Sequence, residues 1–397
     1  MLTLLTAILG AAALLLLLPV AVLFTEVIAA IARYRDPPVE ESERKRVAIV
    51  MPAHNEASII ADTLDSLAPQ LRSADRLILV ADNCSDATAS IAAAHGAEVI
   101  VRTDAIRRGK SYAIDFGVRH LEGDSPAIVI IIDADCRASS GAIDKLAQLC
   151  FRSGRPVQAL YLMQASKDAG VKMQIAEFAW AVKNHARAIG LRRLGLPCQL
   201  MGSGMAFTWP CISTVALATG HIVEDLKLGI DLTRAGTPPL FCPGALITSS
   251  FPRSDEGIRS QRTRWEHGHL GLILTEVPRL LAGSISKLDL NLLALALDLM
   301  VPPLALLSLL LAGFWFADLA LYIFSGIQFP LGVASISLVL LALSVLLSWQ
   351  RYGRRIISFG NLLYAIFYAL RKIPLYAKFI VARQLDWVRS KRDDGEG

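Results

Sequence analysis

The chain has almost no charge in two long zones. Residues 1–33 carry only Glu26 and Arg33, and residues 299–349 carry only Asp318. With 54% hydrophobic residues and a mean hydropathy of +0.47, the 397 residues do not have the make-up of an ordinary soluble enzyme. Paired-cysteine spacing is missing too. Cys84, Cys136, Cys150, Cys198, Cys211 and Cys242 include no CxxC and have no histidine cluster beside them. That excludes a disulfide framework or a zinc site and leaves free thiols of a reducing compartment. The first apolar stretch lacks the basic n-region and the cleavage site of a secretory signal, and its core is too long for one. The apolar zones show no internal repeat and hardly any ionisable residue, which argues against a transporter.

What is present fits a domain held between membrane segments. Leu2 to Ile31, within residues 1–33, predicts one tilted transmembrane helix at roughly 20 residues per crossing. Residues 34–45, with Pro37-Pro38 and a charged run, read as a linker, and residues 46–270 have globular composition. Residues 271–289 are expected to lie along the membrane surface. Residues 290–349 are expected to hold two more transmembrane helices, Leu290 to about Leu311, kinked by Pro302-Pro303, and Ile327 to Trp349. Residues 350–397 read as a basic interfacial region. The net charge is only +5, so its distribution carries the meaning. Arg33, Arg35 and Glu43-Arg44-Lys45-Arg46 follow the first apolar segment; Arg351, Arg354 and Arg355 follow the last; Arg371, Lys372, Lys378, Arg383, Arg389, Lys391 and Arg392 stud the tail. Basic residues beside spans stay on the cytoplasmic side. They are read here as topology, with no nucleic-acid partner.

Between Val47 and Asp133, short apolar runs alternate with helical stretches. Val47 to Pro52, Arg76 to Ala81, Val99 to Val101 and Ala127 to Ile132 read as strands; Ser58 to Leu71, Ala87 to His95 and Lys110 to His120 read as helices. Strands that are apolar throughout and alternate with helices make a mostly parallel α/β sheet with helices on both faces. In such sheets ligands bind beyond the carboxyl ends of the strands. Pro52 to Glu56, Asp82 to Asp86 and Asp133 to Asp135 fall at those ends.

Asp133 and Asp135 offer hard oxygen donors suited to Mg2+ or Mn2+, and through the ion to a diphosphate; a solvated turn is the plain alternative. Arg107-Arg108-Gly109-Lys110-Ser111 opens a helix with basic groups and free amides, without P-loop glycine spacing. Glu224-Asp225 opens another helix, where the dipole alone favours carboxylates. Met201-Gly202-Ser203-Gly204-Met205 lets a ligand approach the backbone, or simply turns the chain. Gln261-Arg262-Thr263-Arg264-Trp265 sets an arginine beside an aromatic face, as a sugar platform would or as an interfacial helix would. His267 and His269 have no third ligand near them in sequence and read as interfacial polar residues.

In order and spacing, these motifs resemble the membrane-embedded family-2 glycosyltransferases that polymerise sugars, such as the cellulose, chitin and hyaluronan synthases. The resemblance covers about residues 46 to 270. It implies a GT-A type nucleotide-sugar domain, Mg2+ or Mn2+ as cofactor, and inverting transfer from a nucleotide sugar, most simply a UDP-sugar, to a hydroxyl. It implies that Glu56 and Asp82 meet the ribose and uracil, that Lys110 and Arg264 meet the phosphates, and that Asp133 and Asp135 hold the metal. Asp225 is the implied base, with Glu224, Gln261, Arg264 and Trp265 in the catalytic group; Gly202, Ser203, Gly204 and Trp265 would face the acceptor. Val223 departs from the family's usual threonine, and His54 stands where an aromatic residue is common and reads as a packing variant. The implied partners are the nucleotide-sugar donor, a polysaccharide or lipid-linked acceptor, membrane lipid and, for secretion, an export partner. Two alternatives stay open: single-sugar transfer to a lipid-linked acceptor, and a catalytically inactive scaffold or binding subunit.

Overall fold

The computed structural model describes residues 1–32, 44–166, 168–252 and 254–381. Most of the expected linker and the basic tail from residue 382 lie outside the described residues. The chain divides into two units.

The sheet unit comprises, of the described residues, 44–166 and 197–268. Its strands are β1 (Val47–Ala53), β2 (Arg76–Asp82), β3 (Glu98–Arg102), β4 (Ile128–Ile131), β5 (Arg137–Ala138), β6 (Val157–Gln164), β7 (Met205–Thr208) and β8 (Leu240–Ser250). They form one sheet in the order β3-β2-β1-β4-β7-β6-β8-β5. β1 is parallel to β2 and β4, and β2 is parallel to β3. Beyond β4 the sheet is mixed: β7 is antiparallel to β4 and β6, β8 is parallel to β6, and β5 is antiparallel to β8. The α/β expectation holds, and all four expected strands are present. Their Val/Ile-rich sequence suits strands covered on both faces; every residue of Ile128–Ile131 is fully buried. β8 contains Pro243-Gly244, and the β6/β8 register shifts there, between Ala159/Leu160. A proline inside a sheet is confined to such irregularities because it cannot donate to the ladder.

Register decides where the ligand edge lies. Ala53 pairs with Ala81, Asp82 with Arg102, and Val50 with Ile131. The carboxyl ends of β1, β2 and β4 therefore finish at one edge. Arg44 and Arg46 are part of this unit. Arg44 is buried and pairs with Asp75 at 2.6 Å and Asp144 at 2.9 Å; Arg46 pairs with Asp124 at 2.5 Å.

The helical unit comprises, of the described residues, 1–32, 168–196 and 269–381. Among the described residues, three helical segments are long and apolar enough to cross a membrane: Leu2–Ile31, Leu304–Ser325 and Phe329–Gly353. The second expected span is displaced. Pro302-Pro303 do not kink a helix but separate two, Leu290–Leu299 and Leu304–Ser325. Proline lacks the N–H for the preceding turn and pushes its predecessor out of helical geometry. Ten residues reach only about 15 Å, half a hydrocarbon core, so the crossing candidate begins after the prolines. Residues 271–289 are no separate surface segment: helix Asp255–Lys287 continues through them from the Gln261–Trp265 motif. Residues 171–193, read by sequence as part of the sheet domain, are helical, and Ile175, Phe178 and Val182 pack in one core with Val20, Leu23 and Val27 of the first helix.

Candidate active site

The turns after β1 and β2 are laced together. Asn55 and Asn83 have left-handed φ of 56° and 52°, which asparagine tolerates better than most side chains. Asn55 Oδ1 accepts from Ser85 N–H at 2.8 Å, Thr88 Oγ1 from Glu56 N–H at 2.8 Å, and Asp86 Oδ2 from Ala57 N–H at 3.0 Å. Asp86 Oδ1 also accepts from Thr88 N–H at 3.0 Å. His54 is half-buried, its Nδ1 lying 2.6 Å from Asp82 O. These bonds fix Glu56 and Asp82 on adjacent turns of the ligand edge.

Asp82 is held by a residue that sequence reading missed. Arg102, at the end of β3, donates from Nη1 to Asp82 Oδ1 at 2.6 Å, and both residues are buried. Its guanidinium also binds Asp104 and Arg107 O and lies 5.6 Å from the Tyr112 ring centroid. Asn83 Nδ2 donates to the same Oδ1 at 3.0 Å. An arginine ending an apolar strand was the available signal, and only the parallel register sets it opposite Asp82.

A second group gathers around Lys110, at the start of helix Lys110–His120. Its Nζ lies 2.5 Å from Asp133 Oδ1 and donates to Gly202 O at 2.8 Å. Burial opposes its charge, but Asp133 and then Glu224 hold its pKa above the ordinary value. Gly202 has φ 93°, and a Cβ there would lie 3.2 Å from Asp225 Oδ2 and 3.5 Å from Lys110 Nζ. So Lys110, Asp133, Gly202, Glu224 and Asp225 share one small space. Glu224 and Asp225 form the first turn of helix Glu224–Arg234, whose positive end favours them. Burial pushes Glu224 up to about 7, with Asp225 adding to the shift; Lys110 and Arg264 pull it back.

The loop that carries Gly202 is built on buried contacts. Ser203 is fully buried, and its Oγ accepts from Asp133 N–H at 3.1 Å. Gln158, also fully buried, donates to Ser203 O at 2.8 Å and accepts from Met201 N–H at 2.7 Å. Gly204 has φ 69°, and a Cβ there would meet Ala159 Cβ at 2.6 Å and Ile247 Cγ1 at 2.7 Å. Gln158 was missed by sequence reading, although a lone amide in the run Val157 to Met163 is the kind of buried polar group that must find partners.

Gln261, Arg264 and Trp265 lie three and four positions apart on helix Asp255–Lys287 and so share one face. Gln261 is buried; Arg264 and Trp265 are half-buried. A Cβ on Gly268 would meet Val223 Cγ1 at 2.5 Å, so this helix seats against the residue before Glu224. His267 and His269 are not interfacial: they are 0% and 5% exposed. Both point into packed protein, and His269 Nε2 lies 3.0 Å from Leu299 O, a partner 30 residues on that sequence alone does not reveal.

The donor set fits a hard divalent ion. One ligand atom each from Asp133, Asp135 and Cys136 lies within 4.8 Å of the others. Burial, with Asp135 adding, pushes the Cys136 thiol well up and keeps it protonated, so the two carboxylates are the apt donors for Mg2+ or Mn2+. Asp133, Glu224 and Asp225 act on the Lys110 charge, and Arg264 acts on Glu224.

Residues 44–268 match the family described as "Glycosyltransferase like family 2", and the chain belongs to that family. The "Probable glycosyltransferase YdaM" of Bacillus subtilis (strain 168) is 27% identical over 259 residues, 58% of this chain and 57% of that protein, so the match spans little more than half of this relative's length. The "Uncharacterized glycosyltransferase Rv0539" of Mycobacterium tuberculosis is 29% identical over 185 residues, 41% of this chain and 80% of the relative. Among solved structures, the mannosyltransferase PcManGT from Pyrobaculum calidifontis, in complex with GDP-Man and Mn2+, matches with a TM-score of 0.57 and 14% identity over 95% of this chain and all of that one. At that identity the likeness is one of fold, and the fold is the expected GT-A type with apolar helices flanking it.

Proposed function

We propose that the chain is an inverting, metal-dependent glycosyltransferase that extends a polysaccharide from a nucleotide sugar at the cytoplasmic membrane face. The observation that carries this reading is the convergence of Lys110, Asp133, Glu224, Asp225 and the Gly202 backbone. Asp133 and Asp135 would hold Mg2+ or Mn2+, which neutralises the donor diphosphate when bound. Lys110 and Arg264 would meet the negative charge that develops on the leaving diphosphate. Asp225, 3.2 Å from a Cβ built on Gly202, is the base that takes the acceptor's hydroxyl proton. Glu224 modulates its charge. Gly202, Ser203, Gly204 and Trp265 form the acceptor side; Gln261 anchors the Arg264–Trp265 turn. Glu56 and Asp82 bind the nucleoside, with Asp82 oriented by Arg102. The three apolar segments anchor the enzyme in lipid and allow an export partner.

A second reading is transfer of one sugar to a lipid-linked acceptor. It is favoured by the number of long apolar segments among the described residues, three, which is few for a polymer channel.

The test is the purified chain in lipid with Mn2+ or Mg2+ and a panel of UDP- and GDP-sugars, the latter because the solved relative holds GDP-Man. Nucleotide release is recorded and the product sized. Release from one donor with a long product supports polymer extension, and a lipid bearing one sugar supports the second reading. Release that survives chelation removes the metal from the proposal. No release with any donor favours an inactive scaffold.

A further inference from the structure

The helical unit ends in a segment that the transfer reaction does not use. From Arg351 to Val381 the chain carries six basic residues, Arg351, Arg354, Arg355, Arg371, Lys372 and Lys378. The sequence has no carboxylate side chain between Asp318 and Asp386. Arg351, Arg354, Arg355, Arg371 and Lys378 are exposed. Four of the cations lie over aromatic rings: Arg351 over Tyr352 at 5.7 Å, Arg354 over Trp349 at 5.4 Å, Arg371 over Tyr364 at 6.0 Å and Lys372 over Tyr368 at 5.3 Å.

Large apolar side chains are exposed in the same stretch. Leu363 is 57% exposed, Ile366 67%, Phe367 59% and Ile380 85%. The backbone forms three short helices, Phe359–Leu363, Ala365–Leu370 and Ile373–Val381, none long enough to cross a bilayer. Tyr368 and Tyr376 are buried, so one side of the segment is packed and the other is not. Short helices with exposed apolar residues, aromatic rings and basic residues in a stretch of sequence that has no Asp or Glu suit the plane where acyl chains meet headgroups.

We propose that Arg351–Val381 is a docking surface for an anionic bilayer, its apolar side chains entering the acyl boundary and its cations binding lipid phosphates. Two observations choose lipid over a protein partner. The segment begins within the last turn of the candidate span Phe329–Gly353, which sets it at the membrane boundary. Its charge is wholly of one sign, which complements a phosphatidylglycerol-rich leaflet. The inference rests on the reading that the three apolar segments span a bilayer.

The test compares the full chain in nanodiscs of phosphatidylcholine and of equal parts phosphatidylcholine and phosphatidylglycerol, with amide hydrogen exchange followed across residues 356–381. Exchange is expected to slow in the anionic discs and to recover in high salt. Each of Arg355→Gln, Arg371→Gln and Lys378→Gln should raise the segment's opening constant in anionic discs about fivefold, the ratio that corresponds to about 1 kcal/mol per basic residue. Helix content of the variants guards against misfolding. A chain that inserts but exchanges equally in both discs overturns the docking surface alone. Lipid dependence that persists undiminished in the triple variant overturns it as well. A chain that never enters the discs overturns the spanning reading and the docking surface with it.

Discussion

Two charge clusters, one in each unit, show what access to solvent changes. In the sheet unit Asp133, Glu224 and Asp225 surround Lys110, and Arg264 acts on Glu224. In the helical unit Glu26 and Asp298 share Arg187, whose Nε lies 2.6 Å from Glu26 and whose Nη2 lies 2.5 Å from Asp298. Both clusters hold more carboxylates than cations. The Lys110 and Asp133 side chains are 20% and 24% exposed, whereas those of Arg187, Glu26 and Asp298 are 6%, 3% and 5% exposed. The open cluster can recruit a cation or a phosphate-bound metal to balance its charge. The closed one cannot exchange ions, and Glu26 Oε1 is buried without a hydrogen-bond partner. It acts as a rivet: Arg187 also donates to Asp298 O at 2.7 Å, and at Gly190 a Cβ would lie 1.9 Å from Glu26 O. The same residue types thus make a site where water reaches them and a fastening where it does not.

The contrast between the clusters is tested most sharply at Asp225. Asp225→Asn is expected to cut turnover about 10²- to 10⁴-fold while nucleotide binding persists, as single-turnover kinetics beside nucleotide titration would read. An unchanged turnover would remove the base assignment. In the rivet, Arg187→Met removes the cation that Glu26 and Asp298 share and should cost about 3–5 kcal/mol, whereas replacing all three members by apolar residues of similar volume should be near neutral. Thermal unfolding in lipid separates the two; a single variant as stable as the parent would mean that the cluster is hydrated.

Smaller effects are expected elsewhere in the sheet unit. Gly204→Ala forces a side chain into left-handed backbone and against Ala159 and Ile247, at about 1–3 kcal/mol. Chemical unfolding should show that loss together with a weaker acceptor KM. The smallest expected effect is a pH slope. Glu224 titrates at about 7 in the fold against an ordinary 4.5. Between these values the folded chain keeps a proton that the unfolded chain has released, so stability falls as pH rises through the window. Melting curves from pH 4.5 to 7 should show that decline in the parent and a flatter one in Glu224→Gln. Equal slopes would show that Glu224 is already ionised.

Much of the fold was legible because its signals are local. Apolar strand runs, the start of helix Lys110–His120 and the two charge-poor zones depend on neighbours in sequence. The carboxylates at strand ends were legible for the same reason. The second half of the sheet was not, since β6, β7 and β8 interleave with helices and mix directions, so no alternation marks them. Pro302-Pro303 were read as a kink because local sequence does not say whether a flanking helix survives a double proline. Arg102, Gln158 and Arg187 escaped because their partners lie 20 residues or more away.

By itself, then, the sequence determined the charge-poor zones, the α/β alternation and the residue types of the candidate site, all set by spacing along the chain. Only the tertiary structure decided that Lys110 bridges Asp133 and the Gly202 loop, that Arg102 holds Asp82, and that Glu26, Arg187 and Asp298 close on one another. Those pairings arise from strand register and helix packing, and the charge balance and pKa of each group follow from which partners burial leaves within a few ångströms.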